Sequence, residues 1–152
     1  MEKRTFSLAD EAATVELGCK IAQFITPPLT VYLSGELGAG KTTFSRGLIQ
    51  ALGHVGAVKS PTYTIVEPYE FANMQVFHFD LYRLLDPEEL EYMGIRDYFS
   101  KDSVCIIEWP DRGYGLLAAA DINIEINYVN HGRELVMQAN SCQGKQLIEK
   151  LK

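Results

Sequence analysis

The chain carries one tryptophan, three cysteines and six prolines among its 152 residues, and no apolar run longer than Leu116 to Ala120. That run is far below the roughly 18 residues a membrane span needs, and no signal-like apolar block follows the opening Met-Glu-Lys-Arg-Thr. A soluble, non-secreted, cytoplasmic protein without a membrane partner is expected. Cys19, Cys105 and Cys142 are odd in number, widely spaced and lack a C-x-x-C pair, so neither a disulfide framework nor a zinc site is suggested. Small core hydrophobes are their expected role. Basic residues are also scarce: 14 Lys and Arg against 20 Asp and Glu give a net charge of −6, which opposes unaided binding to a phosphate backbone. Any nucleic-acid role is expected to run through a partner. Internal repeats, low-complexity blocks and linker-like stretches are missing too, so one continuous domain over 1–152 is expected. A 47% hydrophobic and 11% aromatic composition supplies its core and argues against disorder.

What is present alternates helical and strand patterns. After an extended start at Arg4 to Phe6, Ser7 with Asp10 three residues on reads as a helix N-cap. Ala13, Leu17, Ile21 and Phe24 follow at helical spacing, predicting a helix over Leu8 to Ile25 that Pro27 and Pro28 end. Leu29 to Ser34 reads as a buried strand running straight into Gly35. A second helix is expected over Lys41 to Leu52, with Phe44, Leu48 and Leu52 on one face and Gly53 as its stop. Thr64 to Tyr69 and Met74 to Phe79 read as strands joined at Ala72-Asn73. Asp86 is expected to cap a short helix with Pro87, Glu88 and Glu89 in its first turn, closed by Gly94. Val104 to Glu108 is a further apolar strand. Ile122 to Tyr128 alternates strictly, and Glu134 to Ala139 pairs with it as a hairpin turning at Asn130 to Gly132. A terminal helix over Gly144 to Lys152 is expected. The pattern predicts an α/β fold, a P-loop NTPase-like three-layer sandwich whose central sheet is mixed and mainly parallel with antiparallel C-terminal strands.

Between the first buried strand and the second helix lies Gly35-Glu36-Leu37-Gly38-Ala39-Gly40-Lys41-Thr42, a complete G-x-x-x-x-G-K-[ST] motif. In such a loop the glycines let backbone N–H groups close around phosphate oxygens, and a side chain at Gly40 would obstruct that approach. Lys41 offers a charge to the β and γ phosphates, the helix adds its N-terminal dipole, and the Thr42 hydroxyl joins the shell of a bound Mg²⁺. A chance match in such a chain has odds on the order of 1 in 200, and the strand-loop-helix context lowers them further. Nucleotide binding over Gly35 to Thr43 follows. Thr43 itself fits a phosphate contact or a local helix hydrogen bond equally.

Two apolar strands end in acids, Asp80 and Glu108, and a metal-assisted NTPase needs such a carboxylate beside the phosphate loop. Either fits the Walker B position, and the other can hold or activate the attacking water. Lys59 to Thr64 occupies the place where related NTPases keep a segment that senses the γ-phosphate, with Thr62 as the natural sensor. Arg46, Arg83, Arg112 and Arg133 are each able to neutralise transition-state charge, although a surface ion pair is the default for any one arginine. His78 is expected to be buried in its strand. Trp109 fits base stacking or an ordinary core position. Adenine-reading candidates are the stretch Ser7 to Thr14 and Arg133.

Gly35 to Thr43, Ser60-Pro61-Thr62-Tyr63-Thr64, His78-Phe79-Asp80-Leu81-Tyr82-Arg83 and Glu108-Trp109-Pro110, in that order, together resemble the TsaE family, the small ATPases of bacterial tRNA threonylcarbamoyladenosine synthesis. The resemblance covers essentially the whole chain. It implies an Mg²⁺-dependent, weak ATPase acting beside a threonylcarbamoyl-transferase subunit and its non-catalytic paralogue, of TsaD and TsaB type. ATP turnover would reset that complex, while the transfer to adenosine 37 of tRNAs reading A-starting codons belongs to the partner, so tRNA is met only indirectly. The resemblance also implies Thr42 and Glu108 as metal ligands and Asp80 as important for hydrolysis; with Lys41 of the phosphate loop, Asp80 and Glu108 are the expected catalytic residues. The absence of an N-K-x-D stretch favours ATP over GTP. Two rival readings remain: a small P-loop kinase, for which no arginine-rich lid insertion is visible, and a nucleotide-gated binding module in which hydrolysis is incidental.

Overall fold

A computed structural model describes residues 2–151. Among the described residues seven strands join one sheet in the order β1-β7-β6-β2-β5-β4-β3. They are β1 (Lys3–Leu8), β2 (Leu29–Gly35), β3 (Val66–Glu70), β4 (Gln75–Asp80), β5 (Ser103–Glu108), β6 (Ile122–Val129) and β7 (Gly132–Ala139). The four inner strands β6, β2, β5 and β4 run parallel, and antiparallel partners flank them on both sides. The expected mixed sheet with an antiparallel C-terminal hairpin is therefore observed.

Four helices, α1 (Glu11–Ala22), α2 (Lys41–Ala51), α3 (Glu88–Tyr92) and α4 (Cys142–Lys150), complete the regular structure together with two 3₁₀ turns at Ile95–Tyr98 and Pro110–Gly113. The period-2 pattern of the inner strands splits the core between two faces. Val31, Leu33, Val104, Ile106 and Ile124 pack under α1, α2 and α4, whereas Phe79, Cys105 and Ile107 pack with Leu90 of α3 and Ile95. Helices on both faces of a sheet make the three layers.

Helices α1 and α2 lie close because glycine faces backbone in each. A Cβ at Gly18 would stand 2.6 Å from the Phe44 carbonyl oxygen, and one at Gly47 would stand 2.5 Å from that of Val15. Gly47→Ala is expected to push the pair apart and lower stability by about 1–3 kcal/mol, the usual range for overpacking. Urea denaturation checks this, and an unchanged midpoint would contradict it.

Several boundaries differ from the sequence reading. The cap of α1 is Asp10, whose carboxylate accepts from Ala13 N at 2.8 Å, and Ser7 and Leu8 are instead paired with Glu134 and Arg133 in the β1–β7 ladder. The same helix ends at Ala22, because Gln23, Phe24 and Ile25 donate three residues back in tightened turns. Thr64 and Ile65 belong to a turn closed by Ile65 N donating to Pro61 O, so β3 begins later than expected. Pro87 takes the cap position of α3, one residue past Asp86, whose carboxylate still receives Glu88 N. Ser141 caps α4, which starts ahead of the expected Gly144; the expected end at Lys152 lies outside the described residues. Of the cysteines only Cys105 is buried, and burial pushes its thiol up to about 12. Cys19 is half-buried and Cys142 is exposed, so the core role expected for all three holds fully for Cys105 alone; in the first turn of α4 it is Gly144, not Cys142, that packs against Asp121 and Ile122. Among the described residues no helix is long and apolar enough to cross a membrane.

Candidate functional site

The C-terminal ends of parallel β2, β4 and β5 converge on one edge, where ligands of open α/β sheets bind. β2 delivers the glycine loop there and α2 leaves from it. Gly35 ends the strand at a φ of 138°, and any Cβ on it would collide with the Ile126 carbonyl of the neighbouring β6. At Gly40 the demand is conformational. Its φ is 113°, while a Cβ would meet nothing nearer than Thr14 Cγ2 at 3.8 Å, so crowding inside the protein is not what requires glycine there.

Lys41 heads α2 and is almost wholly buried. Its ammonium donates to Gly35 O at 2.7 Å and to Glu36 O at 3.1 Å, and stands 4.6 Å from the centre of the Trp109 ring. Burial lowers its pKa from the ordinary lysine value, and the charges of Glu108 and Asp80 work against that shift. The loop thus holds its own cation folded inward, and a phosphate oxygen would compete with two carbonyls for it.

Asp80 and Glu108 are register partners at the ends of β4 and β5, and both are buried. Their hydrogen bonds differ. Asp80 accepts from Tyr82 N at 2.9 Å through Oδ1 and from the Thr62 hydroxyl at 3.2 Å through Oδ2. Glu108 Oε2 is held by His78 Nε2 at 2.6 Å, while Oε1 receives no hydrogen bond among the described residues. One carboxylate is engaged at both oxygens and the other keeps one oxygen available.

A cleft of about 330 Å³ gathers Lys41, Thr42, Thr43, Thr62, Asp80, Glu108 and Trp109 with Leu37, Gly38 and Gly40 of the loop. Ser60, Tyr82 and Arg83 also line it. Tyr82 lies beside Trp109 with ring centres 4.9 Å apart, and the Arg83 guanidinium rests 4.6 Å above the exposed ring of Tyr63. Sequence reasoning places Tyr82 within the His78 to Arg83 motif but gives it no role in the site. Arg46, by contrast, is tied to Glu11 at 2.8 Å on the surface, the default assigned to an arginine.

A second cavity of about 200 Å³ lies on the other side of the loop, against Gly38, Ala39, Gly40 and Thr43. Its far wall is made by Asp10 and Thr14 at the start of α1 and by His131, Gly132 and Arg133 of the β6–β7 hairpin. The hairpin also braces the loop: Tyr128 Oη donates to Leu37 O at 3.2 Å, and the Arg133 guanidinium lies 4.0 Å over the Tyr128 ring. Arg133 and, of the Ser7 to Thr14 stretch, Ala9, Asp10, Glu11 and Thr14 are brought to the loop in this cavity, which Trp109 does not line, whereas Ser7 and Leu8 stay in the β1–β7 ladder. Of the loop residues, Gly35 and Glu36 contribute carbonyls to Lys41, and the Glu36 side chain faces solvent.

The donor set suits a hard divalent cation. Thr42 offers a hydroxyl and Glu108 a carboxylate oxygen in one cleft, and Mg²⁺ characteristically takes one or two such ligands and completes its shell with phosphates and water. No group of three or more His, Cys, Asp or Glu able to hold a metal occurs among the described residues, and the protein would supply only Thr42 and Glu108 to a cation in this cleft.

The chain is similar to known proteins over most of its length. A protein from Haemophilus influenzae described as tRNA threonylcarbamoyladenosine biosynthesis protein TsaE is 49% identical over 153 aligned positions, covering 97% of each chain. Its namesake from Rickettsia felis is 31% identical over 143 positions, covering 93% of this chain and 83% of that one. A crystal structure of Bacillus subtilis YdiB superposes with a TM-score of 0.84 and 28% identity over 99% of this chain and 94% of the other. The family model for TsaE, the threonylcarbamoyl adenosine biosynthesis protein, matches residues 8–135, which include every loop and carboxylate described above, and the chain belongs to the TsaE family.

Proposed function

We propose that this protein is a magnesium-dependent ATPase subunit required for threonylcarbamoyladenosine modification at position 37 of tRNAs reading A-starting codons. It works in the cytoplasm beside a threonylcarbamoyl-transferase subunit and its non-catalytic paralogue, of TsaD and TsaB type, and resets their complex between cycles. The names of its relatives support the pathway, and the chemistry rests on one observation: a carboxylate with a free oxygen, Glu108, beside Lys41 and Thr42 in a single cleft. The net charge of −6 suits a subunit that reaches RNA through others.

In this reading the triphosphate lies along Gly35 to Thr43, with backbone N–H groups and the α2 dipole meeting its oxygens. The ammonium of Lys41 turns from the Gly35 and Glu36 carbonyls to the β,γ bridge. Thr42 and Glu108 would hold a magnesium ion, whose charge would offset that developing on the phosphates. Asp80 couples hydrolysis to the Lys59 to Thr64 segment, because the Thr62 hydroxyl already rests on its Oδ2. The base occupies the cavity beside Arg133 and Thr14, leaving Trp109 to cover the phosphate end above Lys41.

Removing the Thr42 hydroxyl deletes one metal ligand and leaves the loop intact. Thr42→Ala is therefore expected to raise the magnesium concentration needed for half-maximal hydrolysis by about tenfold or more. A magnesium titration with unchanged midpoint would contradict the ligand role.

The whole reading is tested by pull-down of the transferase subunits with ATP, ADP or no nucleotide, followed by a tRNA modification assay with product analysis. Nucleotide-dependent capture, repeated modification rounds and release of inorganic phosphate are expected. Capture independent of nucleotide, or a phosphorylated acceptor in place of free phosphate, would contradict it.

A further inference from the structure

His78 is fully buried in β4, yet its environment does not account for an imidazole by packing alone. Its Nδ1 has no hydrogen-bond partner, one of two buried side-chain polar atoms in that condition among the described residues. An apolar side chain of similar bulk would fill the strand position without leaving such a nitrogen unpaired. What the ring does have is a single short contact: Nε2 lies 2.6 Å from Glu108 Oε2. A carboxylate can only accept, so Nε2 carries the hydrogen.

The strand register explains the reach. His78 is opposite Ile106 and Asp80 is opposite Glu108, so the histidine lies one step behind the acid pair on the same face of the sheet. Its ring meets Glu108 from the protein interior. Fixing Oε2 there leaves Oε1 as the oxygen presented to the cleft.

We propose that His78 is a positioning residue, whose Nε2–H locks the Glu108 carboxylate in the rotamer that offers Oε1 to the magnesium of a bound nucleotide. This rests on the ATPase reading above, in which Glu108 is the metal ligand. Hydrogen bonds from outside the ligand shell commonly change metal affinity by 10- to 100-fold, so the effect is of measurable size.

The test compares His78→Met with His78→Gln, two side chains of nearly equal length of which only glutamine carries an N–H donor. Fluorescent ATP binding is followed against magnesium, with magnesium-free ADP binding in EDTA as the reference. His78→Met is expected to raise the magnesium midpoint by 10- to 100-fold, His78→Gln to stay within about threefold of wild type, and both to keep magnesium-free binding. In a Glu108→Gln background the difference between Met and Gln at position 78 is expected to vanish. Equal shifts in the two variants, or a wild-type midpoint in His78→Met, would overturn the positioning role alone. A wild-type protein whose nucleotide binding ignores magnesium would overturn the ATPase reading and this role with it. An arm on the wild-type chain avoids variants altogether: the ring ¹⁵N signals of His78 are expected to move when magnesium joins the nucleotide complex and to stay in place with magnesium-free nucleotide. Signals unmoved by magnesium would overturn the proposal.

Discussion

Lys41→Ala is expected to abolish hydrolysis and to weaken triphosphate binding roughly 30-fold. A unit charge about 4 Å from a phosphate oxygen is worth about 4 kcal/mol at an effective dielectric constant near 20. In the free protein, however, the ammonium already donates to Gly35 O and Glu36 O, and those bonds are given up when a phosphate arrives. Taking about 1 kcal/mol for each leaves a net loss of about 2 kcal/mol, or roughly 30-fold in Kd. The same substitution strips two loop carbonyls of their donor and removes the cation stacked on Trp109, so a small drop in thermal stability accompanies it. Calorimetry with ATP and magnesium checks the affinity, and a phosphate-release assay checks the turnover. Wild-type affinity and turnover in the variant would contradict the phosphate-loop assignment.

Glu108→Ala separates binding from hydrolysis. The loop and Lys41 remain, so nucleotide still binds, while the loss of a metal ligand lowers turnover by at least about 100-fold. Partner docking is expected to persist and tRNA modification to stop after a single round, because the complex is no longer reset. Asp80→Ala should act in the same direction by freeing the Thr62 hydroxyl and Tyr82 N, both of which rest on that carboxylate. Counting modified tRNA per transferase complex over time decides the matter. Many rounds sustained by a hydrolysis-dead protein would favour the rival in which nucleotide only gates docking.

The parts of the site that were legible in the sequence are those built from local chain. The glycine loop declares itself because eight consecutive residues satisfy every requirement of a phosphate cradle, and the flanking strand and helix have clear periods. Asp80 and Glu108 were visible as acids closing apolar runs, since a strand that ends at the sheet edge places its last side chain in the crevice. What escaped depends on register and distant pairing. The His78 to Glu108 contact spans 30 residues and exists only because β4 and β5 run side by side in one alignment, which neither strand's pattern specifies. Ser7 carries a good capping side chain, but the β7 ladder claims it, and that pairing partner lies over 100 residues away. Arg133 could be named as a weak candidate, whereas His131 beside it and the brace from Tyr128 to Leu37 need the hairpin folded over the loop. Asp80 and Glu108 looked interchangeable in sequence. Their hydrogen bonds divide them, leaving a free oxygen on one only.

The central claim is that the glycine loop, backed by Lys41, grips a magnesium-loaded adenine triphosphate. Isothermal titration of the folded protein with ATP in excess magnesium tests it most directly. The account predicts saturable one-to-one binding that Lys41→Ala weakens roughly 30-fold. Absence of binding heat at several temperatures, with an unchanged thermal midpoint in saturating nucleotide, would contradict it.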